Sequence, residues 1–421
     1  MRSKSIAMNM TPRKSSILKP LFFLTKNSVI GAGVSYALTI YLANTLGPGL
    51  FGVYSTALIY ASFLSIIMAF GVDQTAPVQF TLSGRKDELL TLVLSVRVIT
   101  VGICIVFVIG YSFFDFIVAV YILCLLLAGL NLAFYYEANQ SNERYSYIFL
   151  GQRLIYAVAV FAAFKFNGPN LHFVFVLFLL SQIIGLSLQY RDFRHDIHKT
   201  SIAVRKEVWK YLSKNIPIVI IAFSAFSYGG FGRIILELRM GKEALGIYSA
   251  GWQFIVIGTI FQAQVTRVWR LRISQAIANR ELLELGELTR SYFYFATLPI
   301  SVVACALAAS SSLLASALFL DAYSQIADLL PIFAIYLVVI NIAGFAEILW
   351  IAVHRSTSYM TVSLSFGLLL LLILGLVPAG TSPVFFAAAT VLLHFISSVF
   401  LLLFWAVTTK FLWDKSASSS I

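Results

Sequence analysis

The sequence predicts an all-α integral membrane protein with about twelve transmembrane helices in two pseudo-symmetric six-helix bundles. Three observations carry that prediction. Sixty per cent of the 421 residues are apolar and only 11% are charged, whereas about a quarter of a soluble domain is charged; the solvent for such a surface is lipid. Apolar runs of about twenty residues, the length that crosses a bilayer core, recur along the whole chain. Finally, one short turn occurs twice. Leu46–Ser55 reads LGPGLFGVYS and Met240–Ser249 reads MGKEALGIYS, so Gly47, Gly52, Tyr54 and Ser55 return as Gly241, Gly246, Tyr248 and Ser249. A repeat at half-chain spacing implies two related halves.

Read for apolar runs, the chain places spans at about 27–46, 52–72, 89–110, 114–136, 147–166, 171–190, 215–236, 244–266, 291–319, 326–351, 358–378 and 384–409. Each is predicted helical, because backbone N–H and C=O groups in hydrocarbon must pair within their own segment. The division at 114 rests on Phe113–Phe116 with Asp115 alone. A second pair supports the duplication: Asn131-Leu132-Ala133 with Glu137 returns as Asn341-Ile342-Ala343 with Glu347. The organisation that follows is a cytoplasmic N-terminal segment 1–26, a first bundle 27–190, a linker 191–214, a second bundle 215–409 and a tail 410–421. Ile17–Leu24 is read as lying along the membrane surface. No cleavable signal is read at the N-terminus, since that apolar patch is short and Lys26 follows it.

Cationic residues orient the spans. One side holds Arg2, Lys4, Arg13, Lys14, Lys19 and Lys26, then Arg85, Lys86 and Arg144, the runs 191–214 and 267–290, and Arg355, Lys410 and Lys415. The opposite loops hold only Lys165, Arg239 and Lys242. The bias of Lys and Arg towards cytoplasmic loops predicts cytoplasmic termini, and the even span count agrees. The net charge of +12 is therefore spread over short loops facing membrane lipids, about 1 kcal/mol each at an anionic surface. It does not point to nucleic acid.

Several features are assigned no chemistry. His195 and His198 with Asp192 and Asp196 form a loose metal-like pattern, but neighbouring Arg and Lys oppose a cation, and the stretch reads as a solvated linker. Cys104, Cys124 and Cys305 fall inside spans as packing residues. His172 and His394 read the same way. Pro217, Pro299 and Pro331 are expected to kink their helices, with Pro217 a candidate hinge. Gln275–Glu287 reads as a polar helix on the cytoplasmic face, an insertion particular to the second half.

Ionisable groups inside spans are costly and mark a polar interior. Arg97 lies about 12 Å into the third span and Arg153 about 9 Å into the fifth, at 1.5 Å per residue. Arg233 is near the outer end of the seventh, one turn from Glu237, the spacing of an ion pair. Asp73, Glu137 and Glu347 lie near the cytoplasmic ends of the second, fourth and tenth spans. Glu347, flanked by Ala, Ile, Leu and Trp, calls for a partner, with Arg97 or Arg355 in reach. No catalytic constellation or metal site emerges, and no loop is long enough for a soluble enzyme domain. A helical bundle with a sparse cationic interior describes a carrier for something anionic.

The turn Leu46-Gly47-x4-Gly52-x-Tyr54-Ser55, followed by Gly71-Val72-Asp73-Gln74-Thr75, resembles the polysaccharide flippases of the multidrug/oligosaccharidyl-lipid/polysaccharide (MOP) superfamily, the O-antigen or Wzx type. Motif-level similarity covers mainly residues 40–90 and the repeat. The resemblance implies two bundles in a V around a central cavity, as in MATE transporters. It implies that undecaprenyl-diphosphate-linked oligosaccharide crosses the bacterial inner membrane by alternating access. Arg97, Arg153 and Arg233 are the candidates for the diphosphate. Asp73, Glu137, Glu237 and Glu347 are candidates for coupling or gating, with no cofactor beyond a proton or sodium ion. A polysaccharide polymerase and chain-length machinery would be partners. A multidrug exporter ranks second, since buried arginines repel cationic drugs. A membrane-embedded polysaccharide polymerase enzyme would show a large periplasmic loop, which this chain lacks. Major facilitator carriers would place Gly-x3-Asp-Arg after the second span, where Phe80–Leu89 has only Gly84-Arg85-Lys86.

Overall fold

The structure is a computed structural model that describes residues 14–83, 86–139, 141–197, 205–279, 281–353, 356–378 and 380–418. Among them there is no strand. The chain runs α1 (Lys14–Ala69), α2 (Val72–Ser83), α3 (Lys86–Ser112), α4 (Phe116–Leu126), α5 (Ala133–Ala138), α6 (Asn142–Asn167), α7 (Leu171–Ile197) and α8 (Arg205–Phe226). It continues through α9 (Gly232–Ala278), α10 (Leu282–Tyr292), α11 (Leu298–Ala309), α12 (Ser311–Leu318), α13 (Ile326–Ala352), α14 (Ser356–Leu376) and α15 (Pro383–Ser418).

Ten stretches of the described residues are long and apolar enough to cross a membrane. Two of them, Ile30–Ala69 and Lys206–Ile260, contain the breaks that make each a pair of crossings. Gly47 (φ 72°, ψ 167°) interrupts α1, and Gly241 (φ 84°, ψ 178°) interrupts α9. That backbone region is essentially closed to residues with a Cβ. The two repeated glycines are thus the two places where a long helix turns without a loop, and twelve crossings result.

The repeats also meet. α1 and α9 form the most extensive helix pairing in the molecule. A Cβ on Gly52 would collide with the carbonyl of Lys242, and a Cβ on Gly246 with that of Pro48. Pro48 and Lys242 hold corresponding positions in the two copies, so the contact is reciprocal.

Contacts gather alternate connections at the same end of the bundle. Asn44 Nδ2 donates to the Leu318 carbonyl at 2.7 Å, and its Oδ1 accepts from Leu320 N at 3.1 Å. Tyr323 donates to the Ala43 carbonyl at 2.8 Å. Lys242 Nζ pairs with Asp115 at 2.9 Å, and Arg239 donates to the Gly375 carbonyl. These are the loops that charge counting placed opposite the basic side. Asp115 caps α4 by accepting from Val118 N at 3.1 Å, which establishes the helix boundary there.

Four expectations change. The fourth span is not continuous: α4 passes into a 3-10 turn at Leu127–Leu130, and the chain leaves the helix at Asn131–Leu132 before α5. Gln275–Glu287 is not one helix, since α9 ends at Ala278 and Glu281 N reaches back to the Ala276 carbonyl before α10 begins at Leu282. Its first part extends the eighth crossing and its last begins the ninth. Ile17–Leu24 is continuous with the first crossing, because α1 begins at Lys14. The ninth span bends at a π-helical turn, Phe293–Thr297, ahead of Pro299. Pro217 and Pro331 stay inside α8 and α13. The side chains of His195 and Asp196, and His198 itself, lie outside the described residues.

Candidate functional site

A cavity of about 230 Å³ opens within the first half, between α1, the α4–α5 break, α6 and α7. Ser35, Thr39, Tyr54, Asn131, Tyr145, Gln152, Arg153, Tyr156, Ser181, Gln182 and Gln189 supply its polar wall, with Phe149 and Phe178 among the rings. Among the described residues no Asp or Glu lines it. The wall therefore presents one guanidinium among carboxamides and hydroxyls, groups that donate to oxygen-rich ligands.

Arg153 is held but not neutralised. Its Nη1 donates to the Gly31 carbonyl at 3.0 Å and to Ser35 Oγ at 2.6 Å, and its guanidinium lies 4.2 Å from the Phe149 ring centroid. Among the described residues no carboxylate pairs with it. Two bonds and a ring orient the fork while leaving its charge for a ligand.

Arg97 is placed differently. It is 4% exposed and is absent from the cavity wall. Nη2 bonds Asp73 at 2.9 Å, while Nη1 donates to the carbonyls of Gly129 (3.3 Å) and Asn131, and Phe134 lies 4.9 Å from the guanidinium. The broken helix leaves carbonyls without intrahelical partners, and Arg97 takes two of them. Gln189 serves the other side of the break, accepting from Leu132 N at 2.8 Å. Arg97 and Asp73 thus hold open the break whose residues line the cavity. Of the three arginines named from the sequence as candidates for the diphosphate, Arg97 is the one whose guanidinium is paired with a carboxylate and lies outside this cavity's wall.

Arg233 lies in the second half, donating to the Gly229 carbonyl and stacking 5.0 Å from Trp252. It follows a π-helical turn at Ser227–Phe231 that the sequence did not reveal. The expected Arg233–Glu237 ion pair does not form; Arg233 turns back along its own helix, and Glu237 faces Thr56 and Tyr60 of the first half. Glu347 does find a cation, but it is Arg270 at 3.3 Å, not Arg97; the Arg355 side chain is outside the described residues. Glu137 is exposed on α5. His394 packs flat on Tyr228, with centroids 4.0 Å apart, and bonds Tyr336 at 3.0 Å; His172 bonds Tyr121 at 2.8 Å. Asp192 binds Arg144 and the Tyr136 hydroxyl.

The repeated asparagines part company here. Asn131 sits at the break and lines the cavity. Asn341 is 1% exposed in unbroken α13, where its Nδ2 donates to Gln262 at 2.6 Å and its Oδ1 accepts from Thr297 at 2.8 Å. Tyr292 donates to the Asn341 carbonyl at 2.9 Å. Around Asn341 the polar groups of Gln262, Tyr292 and Thr297 are bonded to one another and to the asparagine. Asn131 was visible in the sequence as half of a repeat; Gln152, Gln182 and Gln189 carried no signal, since single amides in apolar spans have no spacing to betray them.

Known proteins resemble this chain in two ways. A family model of polysaccharide biosynthesis proteins matches residues 17–269. A capsular polysaccharide biosynthesis protein of Staphylococcus aureus, CapF, is 23% identical over 162 residues, 38% of this chain and 41% of that protein; the match thus spans about two-fifths of the relative. Among solved structures, an inward-facing multidrug resistance MATE family transporter of the MOP superfamily superposes with a TM-score of 0.71 at 14% identity, over 91% of this chain and 95% of the other. An outward-facing conformation of such a transporter gives 0.62 at 14%, over 94% and 96%. A MOP superfamily transporter from Pyrococcus furiosus gives 0.58 at 15%, over 93% and 95%. The chain therefore belongs to the polysaccharide biosynthesis protein family, and its fold is the one seen in the MATE transporters on which it superposes.

Proposed function

We propose that this protein is a flippase that carries polyprenyl-diphosphate-linked oligosaccharide, with undecaprenol as the lipid, from the cytoplasmic to the opposite leaflet of the inner membrane. The observation that carries the reading is the first-half cavity, with the unneutralised Arg153 among amides and hydroxyls and no carboxylate. Moving a diphosphate from water into a low-dielectric cleft costs its hydration, and a fixed guanidinium replaces part of that without deprotonating. The carboxamides suit sugar hydroxyls, which are neutral and both donate and accept. A cationic drug would meet repulsion at Arg153 and gain nothing from the amides. The lipid tail stays in the bilayer beside the bundle.

The basic side of the chain faces the cytoplasm in this reading, so the Gly47–Gly241 end faces outwards. Asp73 and Arg97 support the wall, and Glu237 and Glu347 remain candidates for coupling to an ion gradient. The direct test is transfer of a lipid-linked oligosaccharide in proteoliposomes holding the purified protein, read as protection from an added sugar-oxidising reagent. Transfer by the wild type and its loss in Arg153→Ala is the expected result. Export of a cationic dye with no oligosaccharide transfer would overturn the proposal in favour of a drug exporter.

A further inference from the structure

The first-half cavity is also selective in what it lacks. From the Asn142 end of α6 its wall presents Phe149, then Gln152 with Arg153, then Tyr156, at spacings of three and four that place side chains on one helix face. Tyr156 therefore stands about 4.5 Å beyond Arg153 at 1.5 Å per residue. The cavity closes there. Tyr156 and Tyr54 are each 8% exposed, Phe178 meets the Tyr156 ring edge-on at 5.4 Å, and Val160, one turn further along α6, is fully buried. At about 230 Å³ the space is smaller than the roughly 300–1,000 Å³ of pockets that enclose drug-sized ligands. It holds one sugar ring beside a phosphate, not an oligosaccharide.

The deep wall is uncharged but not spent. The buried Tyr156 hydroxyl has only the Tyr54 hydroxyl beside it, and a bond between the two uses one of their two protons. Gln152 gives one N–H to the Ser181 carbonyl at 3.3 Å, which leaves the rest of its carboxamide for a ligand. Its amide occupies the place where any Cβ on Gly185 would stand, so the glycine makes room for it. Gln182 lines the same wall. Hydroxyls and carboxamides both donate and accept, as a sugar hydroxyl does. Among the described residues Arg153 is the one cation on the wall, and a diphosphate more than matches its charge. Arg97 is already paired with Asp73. A carboxylate on the sugar would lose its hydration next to like charge, with no cation to meet it.

We infer that the Tyr54–Tyr156 floor, with Gln152 and Gln182, is a specificity-determining subsite: it admits an uncharged sugar as the one joined to the diphosphate and rejects a carboxylate-bearing one. The inference rests on the transport reading above and names the substrate class of that cavity. Further sugars extend back through the cavity mouth and are not read by this floor.

The experiment uses the purified full chain in proteoliposomes with two undecaprenyl-diphosphate monosaccharides, one of glucose and one of glucuronate, which differ only in bearing a hydroxymethyl or a carboxylate. Wild type is expected to transfer the glucose lipid at least tenfold faster. Tyr156→Phe lowers that rate severalfold without lowering the melting temperature, since the ring still fills its place. Gln182→Lys narrows the preference by speeding the glucuronate lipid, a gain that a merely structural role would not produce. Equal transfer of both lipids by wild type would overturn the inference and leave the flippase reading intact. A glucose rate and a preference both unchanged in the two variants would overturn the assignment to this floor. A second readout does not depend on transport: the same two sugars on farnesyl diphosphate are titrated onto the detergent-solubilised protein by calorimetry. Tighter binding of the glucose conjugate with transfer of neither lipid keeps the subsite and sinks the flippase. Equal binding of the two conjugates, or binding of neither, would overturn the subsite.

Discussion

Arg153 and Arg97 are the same residue type at similar depth, yet their surroundings give them different work. Arg153 meets one carbonyl, one hydroxyl and a ring, so Arg153→Ala removes charge from the cavity with little loss of fold. Its expected effect is at least a tenfold drop in polysaccharide display at normal membrane abundance, measured by display and immunoblot together. Arg153→Lys retains part of the activity, since a point charge remains and the bidentate fork is lost. Arg97→Ala strands Asp73 and the carbonyls of Gly129 and Asn131. Removing one partner of a buried pair costs more than the pair is worth, here about 2 kcal/mol because the Asp73 side chain is 39% accessible. The detergent-solubilised variant is therefore expected to melt earlier, and Asp73→Asn in the same chain to recover part of the loss. Equal melting of Arg97→Ala and wild type would contradict the positioning role.

At the scale of an element, the turns at Gly47 and Gly241 depend on a backbone conformation that only glycine adopts freely. Gly47→Ala and Gly241→Ala are each expected to destabilise the protein by on the order of 1–3 kcal/mol, while Gly33→Ala, in open space within the same helix, is neutral within about 0.5 kcal/mol. Thermal melting of the three variants in one detergent compares them directly. The α3–α4 connection adds a pH dependence. Burial raises the Asp115 carboxyl, but the Lys242 hydrogen bond, the Val118 N–H and the charge of Lys242 outweigh it, and the net direction is downward. A carboxylate depressed on folding stabilises the native state above its unfolded pKa, near 3.9, and that contribution is lost as pH falls through the folded value. Wild type should therefore melt above Asp115→Asn at pH 6, with the gap closing below about pH 4. A gap that widens on acidification would contradict the assignment.

For the whole molecule, the contacts among Asn44, Asp115, Arg239, Lys242, Leu320 and Gly375 place alternate connections at one end. Reporter fusions after Asn44, Lys165 and Asp321 are expected to read outside, and fusions after Arg85, Thr200 and Arg280 to read cytoplasm. An outside signal from the 191–214 linker would reverse the orientation. The two halves share the turn but not the interior. The chain leaves the helix at Asn131 beside the cavity in one half, while Asn341 is buried in a hydrogen-bonded network within an unbroken helix in the other, so the repeat is kept in path and not in polar surroundings.

The class of the protein was legible in one dimension, because solvation by lipid and pairing of every backbone group act on each residue separately. Composition fixes the solvent, run length fixes the crossings, and a positive-φ glycine recurring 194 residues on marks the duplication. Even the short boundary at Asp115 could be read, since a helix cap is a local device. Partnership could not be read. Arg97 and Asp73 lie 24 residues apart, Arg270 and Glu347 77, Lys242 and Asp115 127, and no spacing rule joins them. The helical break at Leu127–Leu132 and the π turn at Ser227–Phe231 hold Gly129 with Asn131 and Ser227 with Gly229 and Gly230, but counting apolar run length passes over such residues inside a span. Such distortions are stabilised by side chains arriving from other helices. Which arginine keeps its charge is likewise decided by what the fold brings within 3 Å of it, and that is a property of tertiary structure alone.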